Sequence, residues 1–165
     1  MLNKKTLTLL IVVIMLISVS FIEASAADYE FVTLNGEIVI NGNIIDSPAP
    51  FWYEAEDGET HLMLPLRAIA ETDGWDVSWD EQRRLVDIRR HLTPGGTWTA
   101  SIGIGSRFSS YTWSGAIYPR TAILPTPSVI VGGRTFVPSC FVRLVVVFFS
   151  EVSVMVDGQV VYTLR

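Results

Sequence analysis

Two stretches of this chain echo each other, and the echo limits the available architectures more than any other feature. The run from Gly58-Glu59-Thr60 to Leu64-Pro65-Leu66-Arg67 is matched by Gly133-Arg134-Thr135-Phe136-Val137-Pro138. Asp76-Val77-Ser78 is matched by Glu151-Val152-Ser153, and Leu85-Val86 by Val160-Val161. The offset is 73 residues at the prolines and 75 at the valines following Asp76 and Glu151, so a two-residue insertion separates the two matches. Self-similarity at a long period marks a duplicated supersecondary unit. Half of a 165-residue chain is too small to cover a core alone, so the two units are expected to pack as one. The strongest cluster of chain breakers, Thr93-Pro94-Gly95-Gly96, falls between them and sets repeats of about 31–92 and 97–165.

Residues 1–26 read as a cleaved secretory signal. Lys4 and Lys5 precede 16 uncharged residues, Leu7 to Ile22, and Ala24-Ser25-Ala26 supplies a small-x-small cleavage pattern. The run falls short of the roughly 20 apolar residues of a spanning helix, and no cysteine follows it for lipid attachment. The expected product is a single domain of residues 27–165, secreted and either extracellular or cell wall-associated, with no membrane contact after cleavage. Both lysines leave with the signal, which excludes lysine-nucleophile and Schiff-base chemistry.

Hydrophobic residues at 49% and charged residues at 18% suit a chain that buries a core. A formal charge of −5 excludes a generally basic nucleic-acid binder. The one cysteine, Cys140, excludes an internal disulfide and any multi-cysteine metal site, and reads as a small buried apolar residue.

The first unit reads as hairpin, strand, helix, hairpin. Phe31 to Ile40 is rich in β-branched residues, and Asn35-Gly36 and Asn41-Gly42 are the dipeptides that tight hairpin turns prefer. A short buried strand spans His61 to Leu64. Pro65 suits the first turn of a helix and Gly74 the left-handed residue past its end. Leu66, Ile69 and Ala70 share one face of that helix, leaving Arg67 and Glu71 as an outer i,i+4 pair. Val77-Trp79 and Leu85-Ile88 alternate as half-buried strands around the polar turn Asp80 to Arg84. The second unit opens at Ser101, turns near Gly115 and again at Gly132-Gly133, and reaches Pro138. Its Leu144–Phe149 run is equally compatible with helix and strand, because valine favours strands but the position calls for a helix.

The pattern Leu62-Met63-Leu64-Pro65-Leu66-Arg67-Ala68-Ile69-Ala70-Glu71 followed by Gly74-Trp75-Asp76-Val77-Ser78-Trp79-Asp80 resembles the copper amine oxidase N-terminal domain-like family, also called stalk domains. Ile104-Gly105-Ser106, Ser114-Gly115 and Val131 to Pro138 match that family's second copy, so the resemblance runs from about Val32 to Leu164. The second copy departs at Ser139-Cys140, Leu144 and Val147. The resemblance implies an α+β fold in which two pseudo-repeats of antiparallel strands pack against one or two short helices. Its structural motif falls on Pro65, Arg67, Glu71, Gly74, Trp79 and Pro138. It also implies a non-catalytic stalk, spacer or interaction module of an exported protein of a Gram-positive cell envelope, with no copper and no other cofactor.

Candidate chemistry is sparse. His61 and His91 form no H-x-H or H-x-x-x-H pair, so no metal site is expected from them. Asp73, Asp76 and Asp80 lack the alternation of a calcium loop around an internal glycine. Phe51-Trp52-Tyr53 directly precedes the acidic stretch Glu54, Glu56, Asp57, Glu59. This loop is either a hydrophobic anchor beneath solvated charges or a contact for a cell-wall glycan or partner through Trp52, Tyr53, Glu54 and Glu56. Hydrolysis by a carboxylate pair is a third reading. No G-x-S-x-G is present, and no catalytic residue is assigned. From Asp28 to Leu92 there are 14 acidic residues and 5 arginines; from Thr93 onward there are 2 and 5. That asymmetry invites self-association or contact with an anionic wall polymer, so the expected partners are a cell-wall polymer, another exported protein, or a second copy.

Overall fold

The computed structural model describes residues 31–55, 58–145 and 150–164; the expected signal segment lies outside them. In chain order the first half forms β1 (Phe31–Thr33), β2 (Gly36–Ile40), β3 (Asn43–Ile45), β4 (Phe51–Glu54), β5 (Thr60–Pro65), α1 (Leu66–Thr72), β6 (Asp76–Asp80) and β7 (Leu85–Leu92). The second half forms β8 (Gly96–Gly103), β9 (Phe108–Trp113), β10 (Arg120–Ile123), β11 (Val129–Val131), β12 (Arg134–Pro138), α2 (Ser139–Val145), β13 (Val152–Val156) and β14 (Gln159–Leu164). The fold is α+β, mostly antiparallel strands with two short helices among the described residues.

Three sheets carry it. The first has the order β1-β4-β5-β12-β11, the second β10-β9-β8-β7-β6, and the third β14-β13-β2-β3. At the middle of the first sheet β5 pairs with β12, with Leu64 opposite Val137, Pro65 opposite Phe136 and Met63 opposite Pro138. Each of these strands ends in a proline and passes directly into a seven-residue helix. The hairpins at the two extremes of the chain are exchanged. β2-β3 joins β13-β14 through the β2–β13 pairing, whereas β6-β7 continues into β8-β9. Every sheet therefore mixes strands from both halves. The charge difference between the sequence halves does not correspond to two separate lobes.

α1 forms for the reasons its sequence offers. Pro65 caps it without losing a useful N–H, and Leu66, Ile69 and Ala70 are fully buried on one face. Its end is a Schellman motif: Gly74 at φ +80 donates to the Glu71 carbonyl, and the Trp75 N–H reaches back to the Ala70 carbonyl at 2.9 Å. Trp75 then buries its ring against the same core.

α2 resolves the ambiguous run differently from either reading. It starts directly after Pro138, so only Leu144 and Val145 of the Leu144–Phe149 run belong to it, and residues 146–149 lie outside the described residues. Phe141, Val142 and Val145 are buried to 1% or less, and that burial outweighs the strand preference of valine.

The two Asn-Gly pairs also part company. Asn41 and Gly42, at φ +49 and +82, make the β2–β3 turn as expected. Asn35-Gly36 makes no hairpin, because β1 pairs with β4 and β2 with β13. Gly36 is needed for close approach instead, since a Cβ there would sit 3.1 Å from the Met155 carbonyl oxygen and 3.3 Å from Val154 and Val156 side-chain carbons.

The main core gathers Ile38, Leu64, Ile69, Trp75, Ile88, Ile102, Phe141 and Val154 from all three sheets and both helices. A second cluster collects Phe51, Tyr53, Met63, Val129 and Phe136 from four strands of the first sheet, with the Phe51 and Phe136 rings 4.8 Å apart. β5 serves both, sending Leu62 and Leu64 to one cluster and Met63 to the other, which is why it reads as an unbroken buried run.

Candidate interaction grooves

The motif residues divide into builders and liners. Gly74 and Pro138 build: one closes α1, the other ends β12 in the buried interior. Pro65, Arg67, Glu71 and Trp79 line a single open groove of about 550 Å³. Leu66 and Ala68 of α1 share its floor with Val86 of β7. Val77 and Trp79 of β6 form one wall, Ile130 and the Gly133-Arg134-Thr135 turn the other, and Asp46 and Pro48 close an end.

β6 and β11 are the outermost strands of their sheets, so the groove runs between two unpaired strand edges. Trp79 is 41% and Ile130 47% exposed there. Arg67 and Glu71 form an exposed i,i+4 ion pair at 3.1 Å, worth about 0.3–0.5 kcal/mol. Their contribution to stability is small, so their place in the motif is better explained by the groove they face than by the fold they support.

The aromatic–acidic stretch is not assembled into a platform. Phe51 and Tyr53, 4% and 3% exposed, point into the second core cluster. Tyr53 thus cannot offer its ring to a glycan without leaving the core. Trp52, on the other face, is half-buried and meets Tyr162 edge-on at 6.4 Å. Glu54 is exposed at the end of β4, and Glu56 lies outside the described residues. The physical reason is the strand period of two, which sends neighbouring rings to opposite faces.

Asp73 has a different task from calcium binding. Its carboxylate, on a side chain 4% exposed, accepts hydrogen bonds from the Trp75 indole N–H at 3.0 Å, from Ser150 and from Arg90, with which it forms an ion pair. Ser150 in turn accepts from the Asn41 amide at 3.0 Å, and the Asn41 carbonyl oxygen accepts the Glu151 N–H. The Arg90 guanidinium also lies 5.9 Å from the Trp75 ring centroid. This network ties the end of α1 to β7 and to the turn between β2 and β3. Nothing in the sequence signalled it, because its members lie 17 and 77 residues from Asp73.

His61 and His91 stand in different sheets, half-buried on β5 and exposed on β7, and share no site. Among the described residues no group of three His, Cys, Asp or Glu side chains could hold a metal ion, and no helix is long and apolar enough to cross a membrane. Sequence reading also passed over Trp98, Tyr111 and Trp113, whose rings gather at one end of the second sheet.

Burial, chiefly, pushes the Cys140 thiol above its ordinary value of 9.0, although backbone N–H groups and Arg143 act against it. Iodoacetamide is therefore expected to alkylate Cys140 more slowly in the folded protein than in urea at pH 9, with the native rate rising only at higher pH. Because the folded value is raised, the stabilisation carried by the protonated thiol is fully present below pH 9.0 and is lost as pH climbs through the folded value. Equal native and denatured rates across this range would contradict the burial.

The motif, its groove and its strand–proline–helix context are matched by one family model. The model of the copper amine oxidase N-terminal domain aligns with residues 39–152, from β2 into β13. The chain belongs to this family. The domain the family describes is the non-catalytic N-terminal one. Comparison with curated proteins and with solved structures gave no match.

Proposed function

We propose that this member of the family is a non-catalytic stalk or interaction module of an exported bacterial protein, placed outside the cell or against its wall. It is built from two copies of the strand–proline–helix unit, about 31–92 and 97–165, which exchange hairpins to form a single domain. The observation that carries the reading is the convergence of Pro65, Arg67, Glu71 and Trp79 on one open groove. An enzyme of this size would gather titratable groups where a motif converges. Here the motif presents an exposed ion pair, an indole and two strand edges. Such a surface suits an extended segment of another exported protein, which could add to an edge while its side chains meet Trp79 and the Arg67–Glu71 pair.

A photo-crosslinking amino acid at Trp79, in protein exported by its own host, tests this. The expected result is one discrete adduct at Trp79 and none at Ile117, a loop residue 86% exposed. Equal labelling at both positions, or none at Trp79, would remove the groove as a contact. Mass measurement of the same exported protein is expected to place its N-terminus at Ala27.

A further inference from the structure

We propose that the open end of the second sheet binds an acidic polysaccharide, stacking a sugar ring on the Trp98–Tyr111–Trp113 shelf and holding the ring's carboxylate or phosphate on Arg120. This site is separate from the motif groove and does not depend on it.

The shelf follows from register. Trp98 of β8 lies opposite Trp113 of β9, and Ala100, two residues along β8, lies opposite Tyr111, which in turn faces Arg120 of β10. A period of two puts Trp98, Tyr111 and Trp113 on the face that also carries Ala100 and Ile102. Ala100 and Ile102 are buried in the main core at 2% and 1% exposure, whereas the three rings lie past the edge of that core and stay half-exposed.

Their planes are nearly parallel. Trp98 and Tyr111 stand 6.3 Å apart at 8°, and Trp98 and Trp113 5.5 Å apart at 22°. Leu92 and Leu144 complete a largely apolar hollow of about 340 Å³, close to the volume of a sugar unit or two. Three half-exposed parallel rings on a sheet end are costly to leave against water and suited to a ligand with flat apolar faces.

Charge selects among such ligands. Arg120 is the one charged residue lining the hollow, and its guanidinium carbon lies 5.1 Å from the Trp113 ring centroid. A guanidinium over an aromatic ring keeps N–H donors at its edge, where they can meet a carboxylate or phosphate. The part of the chain that supplies Arg120, Trp98, Tyr111 and Trp113 carries 2 acidic residues against 5 arginines from Thr93 onward. A polyphosphate strand of nucleic acid needs several cations along its path, and this hollow has one.

Affinity electrophoresis of the purified protein through gels containing polygalacturonate, its fully methyl-esterified form, dextran or oligothymidylate tests the proposal. Retardation is expected in polygalacturonate alone. Trp113→Ala is expected to weaken it by about tenfold or more, and Arg120→Gln by about tenfold. Arg120→Lys, which keeps the charge but loses the planar fork, is expected to restore only part. Trp52→Ala, with its indole on the first sheet, is expected to bind as the parent does. Each variant's melting curve separates lost binding from lost folding. Equal retardation in the methyl-esterified gel, stronger retardation by oligothymidylate, no retardation in polygalacturonate, or folded shelf variants that bind like the parent would each overturn the proposal.

Discussion

Asp73→Ala is expected to destabilise the protein by about 3–5 kcal/mol, lowering its melting temperature by about 10 °C or more. The carboxylate is almost completely enclosed, and its removal strands three donors at once: the Trp75 indole, the Ser150 hydroxyl and the Arg90 guanidinium. Arg90, on a side chain 23% exposed, is then left partly desolvated with its main counter-charge gone. Asp73→Asn keeps one carbonyl acceptor and is expected to cost roughly half as much. The double variant Asp73→Ala/Arg90→Met is expected to lose clearly less than the sum of its single variants, because each single change already breaks the shared pair. Urea denaturation of all four proteins measures this, and additive losses would show that the network does not act as a unit.

Phe141→Ala is the second large effect, expected at about 3–5 kcal/mol. Phe141 is 1% exposed and belongs to the helix that packs on both β5 and β12, the two strands at the centre of the first sheet. Emptying its site removes apolar contact from the place where the halves meet, and buried β5 and β12 leave little room for collapse. Cys140→Ser, one residue away on a half-buried position, is expected to cost about 1 kcal/mol or less. A fall in the urea midpoint at unchanged slope for Phe141→Ala, and little change for Cys140→Ser, would confirm the placement of α2. Comparable effects at the two positions would contradict it.

How much of this was legible in the residues depended on distance along the chain. α1 was readable because Pro65, the Leu66-Ile69-Ala70 face and Gly74 all act within ten residues of one another. The Asn41-Gly42 turn was readable for the same reason. Gly36 was misread because Asn-Gly reports a turn only when the flanking strands pair with each other, and its true neighbour is β13, more than a hundred residues on. The start of α2 was obscured because valines advertise strand, while the burial that overrides them comes from other elements.

The grooves split along similar lines. The sequence motif named Pro65, Arg67, Glu71 and Trp79 correctly as a group but gave no hint that they share a surface. Trp52-Tyr53 drew attention because the two are adjacent in sequence, yet adjacency in a strand separates side chains. Trp98, Tyr111 and Trp113 escaped notice because only cross-strand register brings them together. The Asp73 network was invisible for want of any local spacing rule.

The exchanged hairpins have a mechanical corollary. Pulling one half of the chain free would require undoing the β2–β13, β5–β12 and β7–β8 ladders together, since each joins strands from opposite halves. A module laced in this way has no weak seam at its midpoint and resists tension as one body, which is the property a rigid spacer needs.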